Sequence, residues 1–339
     1  MDRDILDHLL REANRYLCLD GTVRTGSIVE YANPGSTTCR VELFVGEQRR
    51  VLYAKTLIAG RGLTERIRED VAKEYDVLCR LYAGFRTMRG ISVVQPLAVF
   101  PEYRTIVTLE APGPTLQHRL AGATRIWASR SEAESAGRFC YLAGKWLNRF
   151  QQLTYRGEAP YAAGDIRDYC DTRLSDLARR PGSGVDAQMR ERVLAWIDGL
   201  SGQARLQDNR VAGCHNDYAP HNMIAGDNRL HVLDLGFFNY DSTVYDVCRF
   251  WHRLETFGLD PLVSGRRIKG YQEKFLAGYG HKVDRTGSAF RLAECRFVLS
   301  SMCTLQQSNS GSFARRRLNA YLYSRYLGWL NMTMDENRS

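Results

Sequence analysis

Alternating, β-branched segments crowd the first third of this chain and then stop. GTVRTGSIVEY, TCRVELFV and RRVLYAKTL, and later ISVVQPLAVFPE and TIVTLE, carry apolar side chains at every second position. That is the period of a strand with one buried face. The turns ANPGSTT and GEQ between the first three read as hairpin connections. From APGPT at 111–115 the period becomes helical and stays so. The expected fold class is therefore α+β: a two-lobed chain with an antiparallel β lobe over residues 1–110 and a larger, mainly α lobe over 111–339. A natural cleft is expected at the joint.

Two helices stand out. TERIREDVAKEYDVLCRLY, 64–82, sets Ile67, Val71, Tyr75, Leu78 and Leu81 at helical intervals behind a Thr64 cap. SEAESAGRFCYLAGKWLNRFQQL is expected to open on a capping box formed by Ser131 and Glu134, with Phe139, Leu142, Trp146 and Phe150 in one buried stripe. The first nineteen residues read as an amphipathic helix rather than a secretion signal. No apolar run reaches the ~18–20 residues needed to span a bilayer, so a cytoplasmic protein is expected.

Composition excludes some chemistries. The nine cysteines include no C-x-x-C pair and mostly sit in apolar surroundings, so they read as small core residues. His118, His231 and His252 read as surface or packing residues. Of the 47 Lys and Arg and 38 Asp and Glu, 16 and 15 lie in residues 1–110, so the net charge of +9 belongs mainly to the second part. Such a balance favours anionic partners: nucleotide, or an acidic or phosphorylated acceptor. ARRR at 314–317 reads as a solvated face, and the aromatics of NAYLYSRYLGWLNM fall at helical spacing, as in a core-facing helix. No nucleic-acid partner is expected.

The chemistry concentrates in CHNDYAPHN, 214–222, and HVLDLGFFNYD downstream. Asp217 and Asn222 share one polar loop, where Pro220 argues against uninterrupted helix. Asp234 follows a short apolar strand and precedes Gly236. A carboxylate with a carboxamide offers magnesium oxygen ligands and leaves its other positions to water and phosphate. Asp217 is then free to receive or orient the proton of an acceptor hydroxyl. These are the parts that phosphoryl transfer requires, together with a positive clamp on the nucleotide.

HNDYAPHN followed by DLG resembles the H-x-D-x-x-x-x-N and D-x-G/D pair of the kinase-like phosphotransferases, the group of aminoglycoside phosphotransferases and choline kinases. The order of elements resembles that family from about 20 to 330. The resemblance implies a protein-kinase-like fold, ATP and Mg as cofactors, Asp217 as catalytic base and His215 as brace of its loop. It further implies Asn222 and Asp234 as magnesium ligands. Lys55 in VLYAK resembles the lysine on the α- and β-phosphates, and Glu74 its ion-pair partner, with Glu69 the fallback. LEAPGPTL resembles the hinge, which implies that backbone groups of Leu109, Glu110 and Ala111 hold the adenine edge. Asp246 in VYDVCRFW resembles the aspartate that supports the catalytic loop.

The chain departs from that pattern in two places. The phosphate-covering turn, Asn33 to Thr38, has one glycine, Gly35, so Ser36 and the hydroxyls after it stand in for backbone donors. In the loop, Asn216 occupies a position where the family usually carries glycine, and His221 stands just before Asn222. Only eleven residues separate Asp234 from Asp246, which leaves no room for a protein-kinase activation segment. The expected acceptor is a hydroxyl of a small molecule or of a sugar-containing compound, anionic ones included. The alternative is a catalytically weak nucleotide-binding regulator on the same fold.

Overall fold

The computed structural model describes residues 2–33, 35–58, 64–159, 163–203, 210–258, 260, 262–307 and 313–335. The chain begins with α1 (Arg3–Leu17), β1 (Val23–Asn33), β2 (Ser36–Val45), β3 (Gln48–Leu57) and α2 (Thr64–Phe85). Next come β4 (Ile91–Val93), β5 (Pro96–Phe100), β6 (Thr105–Leu109), α3 (Leu116–Ala123) and α4 (Arg130–Leu153). β7 (Gly157–Glu158), α5 (Ala163–Ala178), α6 (Ala187–Gln203) and β8 (Arg210–Cys214) precede β9 (Met223–Gly226), β10 (Arg229–Val232) and β11 (Asn239–Ser242). α7 (Val244–Phe257), α8 (Gly265–Tyr279), α9 (Ser288–Gln307) and α10 (Phe313–Asp335) follow. Two compact units result, one of residues 1–123, 128–146 and 220–238, the other of 124–127, 147–219 and 239–339.

In the first unit a five-stranded antiparallel sheet runs in the order β1-β2-β3-β6-β5. Because side chains alternate along a strand, Leu52 and Ala54 of β3 face one way and Tyr53 and Lys55 the other. Leu52 and Ala54 join Val41, Leu43 and Val107 in an apolar cluster, which α1 closes with Ile5, Leu9 and Ala13 from one helical face. Lys55 sits in register with Thr38 on one side and Ile106 on the other. α2 packs on β4, β5 and β6 and buries Val71, Leu78, Leu81 and Phe85. Phe85 stacks on Trp146 of α4 at 5.3 Å, and the Trp146 indole donates to the Ser92 carbonyl at 2.9 Å. β4 pairs in parallel with β10, whose other edge carries β9 antiparallel.

The capping box of α4 is made two residues earlier than the sequence suggests. Ser129 Oγ accepts from Glu132 N–H at 3.2 Å, and Glu132 accepts from Ser129 N–H at 2.8 Å. The reciprocal pair satisfies two helix-end donors, and Glu134 instead takes Arg130 at 2.7 Å. Two S-x-x-E frames overlap here, and the frame that precedes the first helical residue wins. The Thr64 and Ile67 side chains, Pro34, and the side chains of Ala314 and Arg315 lie outside the described residues.

In the second unit α5, α6, α9 and α10 share a core that includes Leu174, Leu177, Val193, Ile197, Phe297 and Leu330. β8 lies between β7 and β11. Phe250 of α7 stacks on Phe275 of α8 at 4.3 Å. Seven of the nine cysteines are buried and none is in a disulfide. No described helix is long and apolar enough to cross a membrane.

Candidate active site

A cavity of about 620 Å³ opens in the first unit, and its lining draws on widely separated stretches of sequence. Ser36 and Thr38 of β2, Tyr53 and Lys55 of β3, and Glu74 of α2 line it together with Leu109 to Gly113, Asn222, Leu233 and Asp234. Lys55 Nζ donates to Asp234 Oδ1 at 2.5 Å and lies 4.0 Å from Glu74 Oε1. Burial alone would lower the Lys55 pKa, but Glu74 and then Asp234 more than offset it, and the ammonium is held above its usual range. Burial dominates at Glu74 and raises its carboxyl pKa, with Lys55 working in the opposite direction. Glu69 points elsewhere, to Lys73 at 3.5 Å on the exposed face of α2.

Asn222 and Asp234 are neighbours because of the β9–β10 hairpin. Asn222 precedes β9 and Asp234 follows β10; Met223 pairs with Val232, and Leu233 N–H donates to the Asn222 carbonyl at 2.9 Å. Asp234 has φ +59°, a left-handed conformation that a short polar side chain tolerates. The turn after it is close-packed: Leu235 N–H donates to Glu74, and a Cβ on Gly236 would stand 3.1 Å from Glu74 Oε2. Among the described residues no cluster of three His, Cys, Asp or Glu forms a metal cage. One carboxylate and one carboxamide oxygen suit a magnesium ion that takes its remaining ligands from water and phosphate, so the donor set fits that ion as carried by a nucleotide.

At the proposed hinge, the N–H groups of Leu109 and Glu110 are already used, by the Gln95 and Val51 carbonyls at 2.9 Å each. Ala111 N–H is left, among the described residues, as the backbone donor of the three without a protein acceptor. The Glu110 carboxylate accepts from Tyr53 Oη at 3.3 Å. Just beyond, the chain presses on β9. A Cβ on Gly226 would fall 1.9 Å from the Pro112 carbonyl oxygen, and Gly113, at φ +118°, would strike Gly226 Cα at 2.7 Å. Only glycine at both positions permits this approach. Gly35 also has a positive φ, +87°, between paired Asn33 and Ser36, and its carbonyl accepts from Ile58 N–H at 2.9 Å.

The polar loop before Pro220 belongs to the second unit. His215 is fully buried, and its Nδ1 accepts from Asp217 N–H at 3.3 Å. Asp246, also buried, accepts from the N–H groups of His215 at 2.6 Å and Asn216 at 3.0 Å. Burial raises the Asp246 pKa, opposed by His215 and those two donors. Asn216 has φ +61°. This is the backbone shape for which glycine is the usual choice, and asparagine is the residue that tolerates it next best. Its side chain donates to Asn239 Oδ1 at 2.6 Å. Asp217 forms an ion pair with Arg249 of α7.

Sequence reasoning missed Tyr53 and Arg249; Thr38 lines the cavity as its hydroxyl was expected to. Alternation alone put Tyr53 on the Lys55 face, so it was available; Arg249 had no signal beyond lying one helical turn, roughly, after Asp246. A larger hollow of about 770 Å³ between α7, α8, α9 and α10 contains none of the candidate residues. His252, on its wall, stacks on Phe297 at 5.1 Å, a packing residue as expected, and is also clamped by Glu255 at 2.7 Å.

The profile of a family described as "Phosphotransferase enzyme family" matches residues 66–282. No curated protein sequence matches the chain. Among solved structures, a candidate aminoglycoside phosphotransferase from Ralstonia eutropha superposes with a TM-score of 0.61 at 12% identity, covering 98% of each chain. An ethanolamine kinase from Plasmodium vivax gives 0.52 at 11% identity, over 90% of this chain and 81% of that one. A spectinomycin phosphotransferase in complex with ADP and spectinomycin gives 0.51 at 11% identity, over 96% and 98%. At these identities the likeness is one of fold.

Proposed function

This chain belongs to the phosphotransferase enzyme family, and we propose on that premise that it transfers the γ-phosphoryl group of ATP to a hydroxyl of a small molecule or sugar-containing acceptor. It is an enzyme of kinase type. The observation that carries the reading is Lys55, shared between Glu74 and Asp234 on the wall of the 620 Å³ cavity. Residues 1–110 serve as the nucleotide-binding lobe, aided by the hinge and the β9–β10 hairpin, and the rest of 111–339 as the catalytic and acceptor-binding lobe.

Lys55 meets the α- and β-phosphates, and Glu74 keeps the ammonium aimed. Gly35, Ser36 and Thr38 lie over the phosphates, and Ala111 N–H with the Leu109 to Ala111 carbonyls reads the adenine edge. Asn222 and Asp234 would hold magnesium, which would supply positive charge against the phosphate chain. The acceptor oxygen attacks the γ-phosphorus, the bond to the β-bridging oxygen breaks, ADP leaves, and the acceptor proton passes to Asp217. His215 and Asp246 hold the backbone at Asp217. A cytoplasmic location goes with this use of ATP.

The alternative, a nucleotide-binding regulator, was motivated by Asn216 and by the single glycine of the phosphate turn. Asn216 adopts the positive φ required, which weakens that motive. The deciding measurement is ADP release with Mg and ATP across a panel of hydroxyl compounds. Acceptor-dependent turnover that falls with Asp217→Ala is expected. Nucleotide binding without turnover on any hydroxyl compound would favour the regulator.

A further inference from the structure

α7 carries Arg249 and Arg253 one helical turn apart, so both guanidinium groups leave the same face of the helix. Their surroundings differ. Arg249 is paired with Asp217. Arg296, from α9, donates to Asp241 at 2.7 Å and to Asn216 at 3.4 Å, and lies over the Tyr245 ring at 4.0 Å. Arg253 has no carboxylate within ion-pair distance among the described residues. Its Nε is buried without a hydrogen-bond partner, and its guanidinium stands over the Phe297 ring at 5.5 Å.

Arg253 is thus a half-buried cation without a counter-ion, close enough to Asp217 and Arg249 to feel both charges. Burial, and after it the Arg249 charge, lowers its pKa. The nearby acids are engaged: Asp217 by Arg249, Asp241 by Arg296, and Asp246 by the His215 and Asn216 N–H groups. A stacking role over Phe297 does not explain the charge, since a neutral side chain packs there without the cost of desolvating a cation. A cationic acceptor would add to the repulsion; an anionic one would remove it.

We propose that the acceptor bears an anionic group, a carboxylate or a phosphate ester, and that Arg253 is the residue that binds it, beside the Asp217 carboxylate. The proposal deepens the phosphotransferase reading and rests on it for the role of Asp217; the anion site itself rests on the buried, unpartnered Arg253 Nε and the guanidinium over Phe297. Guanidinium is suited to both oxyanions, through paired N–H donors. Of the α7 pair, Arg249 is held by Asp217, and Arg253, without an ion-pair partner among the described residues, is open to a ligand.

The full chain is titrated with inorganic phosphate in a calorimeter at low ionic strength, in a Lys55→Ala background so that the nucleotide cavity contributes little. Adding Arg253→Gln is expected to weaken phosphate binding at least about tenfold, with Arg253→Lys intermediate. The melting temperature of Arg253→Gln should equal or exceed that of the unsubstituted chain, because an uncompensated charge is removed; a purely structural arginine would lose stability instead. In turnover, a sugar acid or sugar phosphate should be used in preference to the neutral sugar and aminosugar of the same skeleton, with its KM raised about tenfold or more by Arg253→Gln. Equal phosphate affinity with and without Arg253 overturns the proposal, as does preference for the aminosugar, which would leave the kinase reading intact. Loss of the kinase reading shows separately, as no ATP-dependent turnover on any compound.

Discussion

Lys55 Nζ stands 2.5 Å from Asp234 Oδ1 and 4.0 Å from Glu74 Oε1, so one ammonium is shared unequally between two carboxylates. The sheet supplies the lysine, α2 the buried acid and the β9–β10 hairpin the closer one. Removing Lys55 leaves two acids facing one another in a partly desolvated place.

That asymmetry can be measured by double-mutant cycles in urea unfolding. The pair Lys55→Ala with Asp234→Ala should show coupling of about 1 kcal/mol, discounted for the partial exposure of both groups, and more than the pair Lys55→Ala with Glu74→Ala. Strict additivity in the first cycle would remove the ion pair from the account.

Asp217→Ala should leave ATP affinity nearly unchanged and lower turnover by ~10²–10⁴, the contribution of a positioned base. Equal rates in steady-state assays would exclude Asp217 from proton transfer.

Asp246→Asn replaces one acceptor oxygen with a donor and leaves a backbone N–H of the catalytic loop without its partner. A loss of roughly 1–3 kcal/mol in stability is expected, with a fall in kcat larger than any change in KM for ATP. Thermal melts and initial rates on the same variant check both.

Gly226→Ala drives a methyl group into the Pro112 carbonyl oxygen, which is backbone and cannot rotate away. Stability should fall by about 2 kcal/mol or more. Gly270→Ala is the contrast: it lies inside α8 with nothing within 4 Å of the added Cβ, and should gain about 0.5–1 kcal/mol. Calorimetric melting of the two variants should move in opposite directions.

His252 is held by Glu255, and its pKa lies well above 6.5: burial pulls it down, and its polar neighbours more than reverse this. A base whose folded pKa is raised contributes stability that is complete below the unfolded value and lost as pH climbs through the folded one. Stability should therefore decline as pH rises above about 6.5, with a smaller decline in His252→Gln. Identical pH profiles in chemical denaturation would argue that the ring is neutral in both states.

Period and spacing made much of this legible. VLYAK fixed Lys55 on the face opposite Ala54, and the helical stripe around Leu78 singled out Glu74 over Glu69. Local sequence could not rank the two frames Ser129–Glu132 and Ser131–Glu134, because both spell the same cap. Nor could it foresee that Asn216 would take a left-handed backbone, since asparagine permits that shape without requiring it. Arg253 was hidden for another reason: an arginine on a helix is ordinary, and its lack of a carboxylate partner among the described residues emerges only in the folded chain.

The return of residues 220–238 to the first unit has a consequence for synthesis. Asp234 is made 179 residues after Lys55. At ribosomal rates of ~5–20 residues per second the gap lasts roughly 10–40 s. Once made, Leu78, Val94 and Ile106 wait through most of it for Leu233 and Leu235, with which they line the cavity. A nascent chain holding an unfinished apolar hollow for that long is a natural client for chaperones, and slowing of translation between β6 and β10 should cost yield before it costs activity.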